Sequence, residues 1–336
     1  MEKMHYVFIV FGVFCFSQSL IAVTVYNPNY QVDTYVSYNY TSLGRPQGFT
    51  FDPGGNLYVT HLNGSVQKIN TSKTISPLVT NLAAPRYITW GGGTDFGDYL
   101  YVTDPQQKST WSGGEVTRID LAGNKTPFAG GVNNPGLLEI DTSGNYNNLL
   151  YVANATDDKI LKVGSAGGVA TTFSNYPYYS GGVLAGIAFD TIGSYGNRMF
   201  VSTFSTDLPD AGVFRVDLNG TVSRFVDIEQ AAHVEIDNTQ QQLFDGKMYV
   251  NGKYDSNDPW GLYLINGYYD QELFGTFDIS PNWLHSPIRF GADGAMYVME
   301  CDIPNDQVII SRITPVPEPS TLMLVFLGGL LVKKKR

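Results

Sequence analysis

A four-residue apolar unit with an aromatic second residue returns six times along this chain, and its spacing leaves few folds open. The copies are Leu57-Tyr58-Val59-Thr60, Leu100-Tyr101-Val102-Thr103, Leu150-Tyr151-Val152-Ala153, Met199-Phe200-Val201-Ser202, Met248-Tyr249-Val250-Asn251 and Met296-Tyr297-Val298-Met299. The aromatic positions 58, 101, 151, 200, 249 and 297 are separated by 43, 50, 49, 49 and 48 residues. That interval holds four short strands with their turns, the size of one propeller blade.

The flanking segments fill out the blade. Ahead of the unit comes a strand closed by Asp, as in Phe49-Thr50-Phe51-Asp52, Leu138-Glu139-Ile140-Asp141, Ile187-Ala188-Phe189-Asp190 and Val234-Glu235-Ile236-Asp237. A third strand comes after it, for example Val66 to Ile69 and Val213 to Val216, and then a fourth, for example Thr126 to Ala129 and Val222 to Phe225. These strands alternate or are apolar throughout, as expected where both faces of a sheet pack on neighbouring sheets. The sixth copy lacks a fourth strand, while a spare strand, Val32 to Tyr38, precedes the first copy. Pairing the two closes a ring and hides its free edges. The expectation is an all-β, six-bladed propeller over residues 31–314, latched by an N-terminal strand.

The first copy reads Arg45-Pro46-Gln47-Gly48-Phe49-Thr50-Phe51-Asp52-Pro53-Gly54-Gly55-Asn56-Leu57-Tyr58-Val59-Thr60. It resembles the repeat of NHL-type and related six-bladed propellers, whose pattern runs Pro, Gly, apolar, Asp, Gly, Asn, aromatic-Val-Ala/Thr. The resemblance implies a fold more than an activity.

Both ends carry targeting signals. Residues 1–22 read as a secretory signal: Lys3 is the positive start, Tyr6 to Phe16 the apolar stretch, and Ser17, Ser19 and Ala22 the small residues. A lipoprotein cut before Cys15 is disfavoured by bulky Phe14. At the other end, Pro317-Glu318-Pro319 precedes the apolar run Leu322 to Val332 and the cations Lys333, Lys334, Lys335 and Arg336. The run favours a bilayer, and the cations hold its end on the cytoplasmic side. It is shorter than the roughly 20 residues of a stable span, which favours transient retention. Motif, run and basic end together resemble the PEP-CTERM sorting tail of exported Gram-negative bacterial proteins. That resemblance assigns 315–336 to the tail and implies an exosortase-type enzyme that reads Pro317, Glu318 and Pro319 and removes it. The implied location is the cell surface or beyond, after a transient inner-membrane stage.

Charge narrows the partners. Setting aside Lys3 and the four tail cations leaves 16 basic residues (21 − 5), and setting aside Glu2 leaves 30 acidic ones (31 − 1), so the body carries about −14. Such a surface repels phosphate backbones, which argues against nucleic acid. Only Cys301 would survive signal removal, and one thiol makes no intrachain disulfide.

Candidate chemistry is sparse. Loops leading into each blade and loops after each second strand share one mouth of the channel, and they place His61, Asp104, Asn154, Glu300, Arg45, Arg86, His233 and His285 there. Capping of turns would populate the same positions with polar residues. Asp104, Asn154 and Glu300 are oxygen ligands of the type Ca²⁺ takes. The senescence-marker/gluconolactonase propellers use a Glu leading into a blade for their metal; Arg45-Pro46 stands there instead, against lactonase chemistry. Asp255-Ser256-Asn257-Asp258 lacks the Gly and distal Glu of an EF-hand loop. Glu139, Glu235 and Arg289 occupy equivalent inner-strand positions and either serve as acid and base or line the channel as ion partners; pairing is the favoured reading. No Gly-X-Ser-X-Gly elbow or phosphate loop occurs. Trp111, Trp260 and Trp283 offer weak support for sugar stacking. The expectation is a non-enzymatic cell-surface or matrix protein whose propeller face binds a polysaccharide or a protein. The alternative is a secreted hydrolase or lyase using the mouth cluster, with or without Ca²⁺.

Overall fold

A computed structural model of the chain describes residues 23–105, 113–155, 157–176, 183–205, 211–253, 258–277 and 287–317. The expected signal, residues 1–22, and the tail from Glu318 onward lie outside the described residues, as do His285, Trp111, Trp283 and Asp255 to Asn257.

The described strands form six sheets, four of four strands and two of five. Blade one is the antiparallel meander Pro46–Phe51, Leu57–His61, Ser65–Ile69 and Ile75–Val79. Blades two to five repeat it, starting from the inner strands Ile88–Trp90, Pro135–Ile140, Val183–Phe189 and Glu229–Ile236. Blade six contributes Ile288–Phe290, Met296–Asp302 and Gln307–Pro315. Its fourth strand is Tyr30–Asn39, antiparallel to the last strand from Tyr30↔Pro315 to Asn39↔Gln307. The expected latch is therefore present, and the fold is a six-bladed β-propeller.

Two strands were not foreseen. Val23–Val25 adds a fifth strand to blade five, pairing with Gly275–Phe277, so sheet structure begins ahead of the expected boundary at residue 31. Gly168–Val169 runs parallel to Ala129–Gly130 of blade two, joining it to the turn of blade three.

The repeat residues have separate physical duties. The aromatic of each unit sits between blades: Tyr58, Tyr101, Tyr151 and Phe200 are wholly buried and Tyr249 almost so. The Asp closing the inner strand of blades one, three, four and five builds the turn to the second strand, a position held by Gly91 and Gly291 in blades two and six. Asp190 accepts the amides of Gly193, Ser194, Tyr195 and Asn197 at 2.7–3.1 Å, and Asp141 accepts those of Ser143, Tyr146 and Asn148 at 2.8–3.0 Å. Buried carboxylates satisfied by several amides fix a loop far better than a flexible polar side chain would. Gly48 is required because a Cβ there would lie 3.0 Å from the Arg86 carbonyl of the next blade.

The turns also staple blades to one another. Tyr146, from blade three, donates its hydroxyl to the carbonyl of Val216 and accepts the amide of Met199, both in blade four. Tyr195 does the same one blade on, to Ile265 and Met248. Phe244 holds the equivalent place in blade five and stacks on latch residue Tyr30, centroids 5.0 Å apart. Removing one of these hydroxyls orphans a buried amide and carbonyl, at about 1–3 kcal/mol. Tyr146→Phe and Tyr195→Phe should each lower the urea-unfolding free energy by that amount; unchanged midpoints would show the staples to be idle.

Candidate functional site

The inner strands place one side chain each, opposite the repeat aromatic, around the channel: Thr50, Thr89, Glu139, Ala188, Glu235 and Arg289. Arg289 Nη1 reaches Glu139 Oε2 and Glu235 Oε2, both at 2.8 Å, and its Nε faces the Phe49 carbonyl of blade one at 3.4 Å. Thr89 donates to Glu139 Oε1 at 3.0 Å. One guanidinium thus ties blades one, three, five and six across the channel. Burial pushes the Glu235 carboxyl up to about 8, the Arg289 charge opposing and the Glu139 charge adding to the shift. Two carboxylates share one cation, so one retains a proton.

The expected mouth cluster is differently employed. His61 is buried: its Nδ1 lies 2.9 Å from the Gly44 carbonyl, which only accepts, so Tyr38 donates to Nε2 at 3.0 Å. Burial lowers its pKa to about 4, and the ring is neutral. Asp104 accepts the amides of Ala83 and Ala84 at 2.9 and 2.7 Å. Asn154 accepts the amide of Asn133 and donates to Asp157. Arg86 Nη1 donates to Asn134 at 2.8 Å, joining the loops that lead into blades two and three. Buried His233 is held neutral by desolvation and the Arg289 charge, its Nδ1 3.5 Å from the Ile288 amide. Glu300 is fully buried, and Arg45 is exposed. These side chains organise loops rather than converge on an open site. Asp104, Asn154 and Glu300 come from blades two, three and six, and the described residues hold no group of three or more His, Cys, Asp or Glu able to bind a metal.

An open site lies on the other face, at the seam where blade six meets blade one. In blades two, three and four the turn between third and fourth strands carries Gly in the left-handed region: Gly123, Gly167 and Gly220, with φ of 88°, 75° and 84°. A Cβ on those glycines would lie 2.2–2.7 Å from the carbonyl of Leu78, Phe128 or Phe173 on the preceding blade. In blade one the equivalent residue is Lys73, at φ 63°. The fourth strand it faces is the latch, which skips Tyr35 in its register between Thr34 and Val36 as the fourth strands of blades one to five skip Leu78, Phe128, Phe173, Phe225 and Phe274. The Lys73 ammonium lies 2.8 Å from the Tyr35 ring centroid, and Tyr297 meets the same ring edge-on at 4.9 Å. Burial and the Arg312 charge lower the Lys73 pKa.

The result is a cleft of about 660 Å³ walled by Tyr35, Phe51 and Tyr297 and edged by Lys73, Asp293 and Arg312. Arg312 holds Asp293 through Nη2 and Nε at 2.8 and 3.0 Å, and Tyr297 donates to the same carboxylate at 3.0 Å. A second cleft of about 410 Å³, sharing Gly291 and Ala292, adds Thr239, Gln240, Gln241 and Phe290. None of the seam residues was singled out from sequence. The available signal was Lys73 standing where three other turns carry glycine.

No family model and no curated protein matches the sequence. Solved structures share the fold. A virginiamycin B lyase of Staphylococcus aureus superposes with TM-score 0.56 at 12% identity, over 85% of this chain and all of the other. A gluconolactonase of Xanthomonas campestris gives 0.59 at 10% identity, over 88% and 97%. A PQQ-bound aldose sugar dehydrogenase of Streptomyces coelicolor gives 0.52 at 12%, over 84% and 98%. Fold and site define a six-bladed propeller with an arginine-bridged channel and an open cleft at its closure.

The channel sets a pH dependence. Folded Glu235 keeps a proton that the unfolded chain releases above its ordinary value of 4.5. Its contribution is therefore full below that value and is lost as pH climbs toward 8. Glu235→Gln should flatten the fall in melting temperature between pH 5 and 8.5; equal slopes in variant and wild type would refute the assignment.

Proposed function

We propose that this is an exported, non-enzymatic surface or matrix protein that binds polysaccharide in the seam cleft. The observation that carries this reading is Tyr35, bulged out of the latch against Tyr297 and capped by Lys73. Aromatic walls offer apolar faces to the C–H side of a sugar ring, while Asp293, Arg312 and the Gln side chains next to them suit its hydroxyls. The cleft volume falls within the ordinary range for ligand sites. Among the described residues its lining holds one carboxylate, Asp293, already tied to Arg312 and Tyr297, whereas glycoside hydrolysis uses a carboxylate pair.

Lys73 links stability to binding in opposite directions. A non-glycine residue in the left-handed region costs about 1 kcal/mol or more. Lys73→Gly should raise unfolding free energy by about 1 kcal/mol while weakening polysaccharide binding in affinity electrophoresis. Tyr35→Ala should weaken that binding at least tenfold, the loss expected of one stacked aromatic. Undiminished binding by both variants would remove the seam from consideration.

A hydrolase or lyase reading draws support from the lyase and gluconolactonase among the structural neighbours. It requires release of new reducing or unsaturated ends from a bound polysaccharide, whereas the binding reading requires recovery of the polymer intact. The export route rests on the sequence of the two ends. Val316 and Pro317, the last described residues, are exposed.

A further inference from the structure

The last described strand, Gln307–Pro315, runs toward the end of the ring that carries the turns between first and second and between third and fourth strands. There the Val316 amide is held by the Asn29 carbonyl at 2.7 Å. The last described residues, Val316 and Pro317, therefore lie at that face. The sequence continues with four residues, Glu318 to Thr321, and then the apolar run Leu322 to Val332. Four extended residues reach roughly 14 Å. An inserted apolar run would thus hold this face, and no other, close to a bilayer.

The same face carries exposed apolar side chains in the turns of blades two, four and five. Leu121 in blade two is 43% exposed, Leu218 in blade four 50%, and Tyr268 and Tyr269 in blade five 64% and 49%. All four lie in turns between third and fourth strands. Tyr269 sits at φ 53°, in the position where blades two, three and four carry glycine. Single exposed apolar residues are ordinary on a protein surface. Their recurrence on the rim that faces the tail is not, and Tyr and Leu are the side chains that settle at a lipid interface.

We propose that this face of the ring lies flat on a lipid bilayer while the C-terminal apolar run is inserted, with Leu121, Leu218, Tyr268 and Tyr269 in the headgroup layer. The seam cleft lies on the same face, so polysaccharide reaches it only after the tail is released. The acidic body favours an uncharged lipid surface over an anionic one.

The test uses the chain from Val23 to Arg336 on phosphatidylcholine vesicles. Cys301, buried, is replaced by Ala, and spin labels are placed one at a time at Leu218→Cys and, on the opposite face, at exposed Thr41→Cys. Lipid-soluble oxygen should relax the label at 218 several-fold more than the label at 41, which should behave as fully aqueous. The combined variant Leu121→Asp, Leu218→Asp, Tyr268→Asp should bind vesicles at least fivefold more weakly with its tail intact. Two equally aqueous labels on vesicle-bound protein would overturn the proposal and leave the apolar rim to a protein or polymer partner. A lipid-contacting label at 41, or failure of the tailed chain to float with vesicles, would overturn it as well.

Discussion

The antiparallel ladder between Tyr30–Asn39 and Gln307–Pro315 is the contact on which the remaining geometry rests. The four main strands of each other blade are a meander of consecutive strands, which forms by short-range pairing. The latch, together with the short Val23–Val25 strand on blade five, joins the two ends of the domain, and loop-closure entropy makes such contacts slow to form although it adds little for each further doubling of length. Without it, blade six would be a three-stranded sheet with an open edge. The Arg289 bridge depends on it too, because Arg289 belongs to the blade that the latch completes.

The interior and the seam use opposite strategies. Across the channel, one cation is shared by two carboxylates, a buried arrangement whose value lies more in fixing which blades face each other than in net stability. At the seam, strain is tolerated so that a lysine stands on an aromatic ring where other turns have only backbone. Strained positions held in place by a well-determined surround are where ligand sites commonly form.

The six aromatic units, the Asp at the end of four of the inner strands and the unpaired strand before blade one were all readable, because a repeat writes its packing rules several times over. Glu139, Glu235 and Arg289 were legible as neighbours for the same reason: equivalent positions in a ring converge on its axis. His61, Asp104 and Asn154 were legible as polar residues near a mouth, but a buried side chain holding a loop amide and an exposed one awaiting a ligand are the same residue types in sequence. The seam cleft was hidden because it comes from a departure from the repeat. Tyr35 stands where the other fourth strands carry Leu78, Phe128, Phe173, Phe225 and Phe274, and Lys73 means nothing until its turn is laid over those of Gly123, Gly167 and Gly220.

The walls of the cleft come from Tyr35 on the latch, Phe51 and Lys73 on blade one, and Asp293, Tyr297 and Arg312 on blade six. These are the earliest and latest stretches of the domain to be translated. A nascent or truncated molecule has the parts of this cleft but not the cleft, so recognition begins only once the circle is complete. Any occupant of the seam in turn favours the closed ring over the opened one by the free energy of its own association, and so acts as a clasp at the one junction the chain does not bridge covalently.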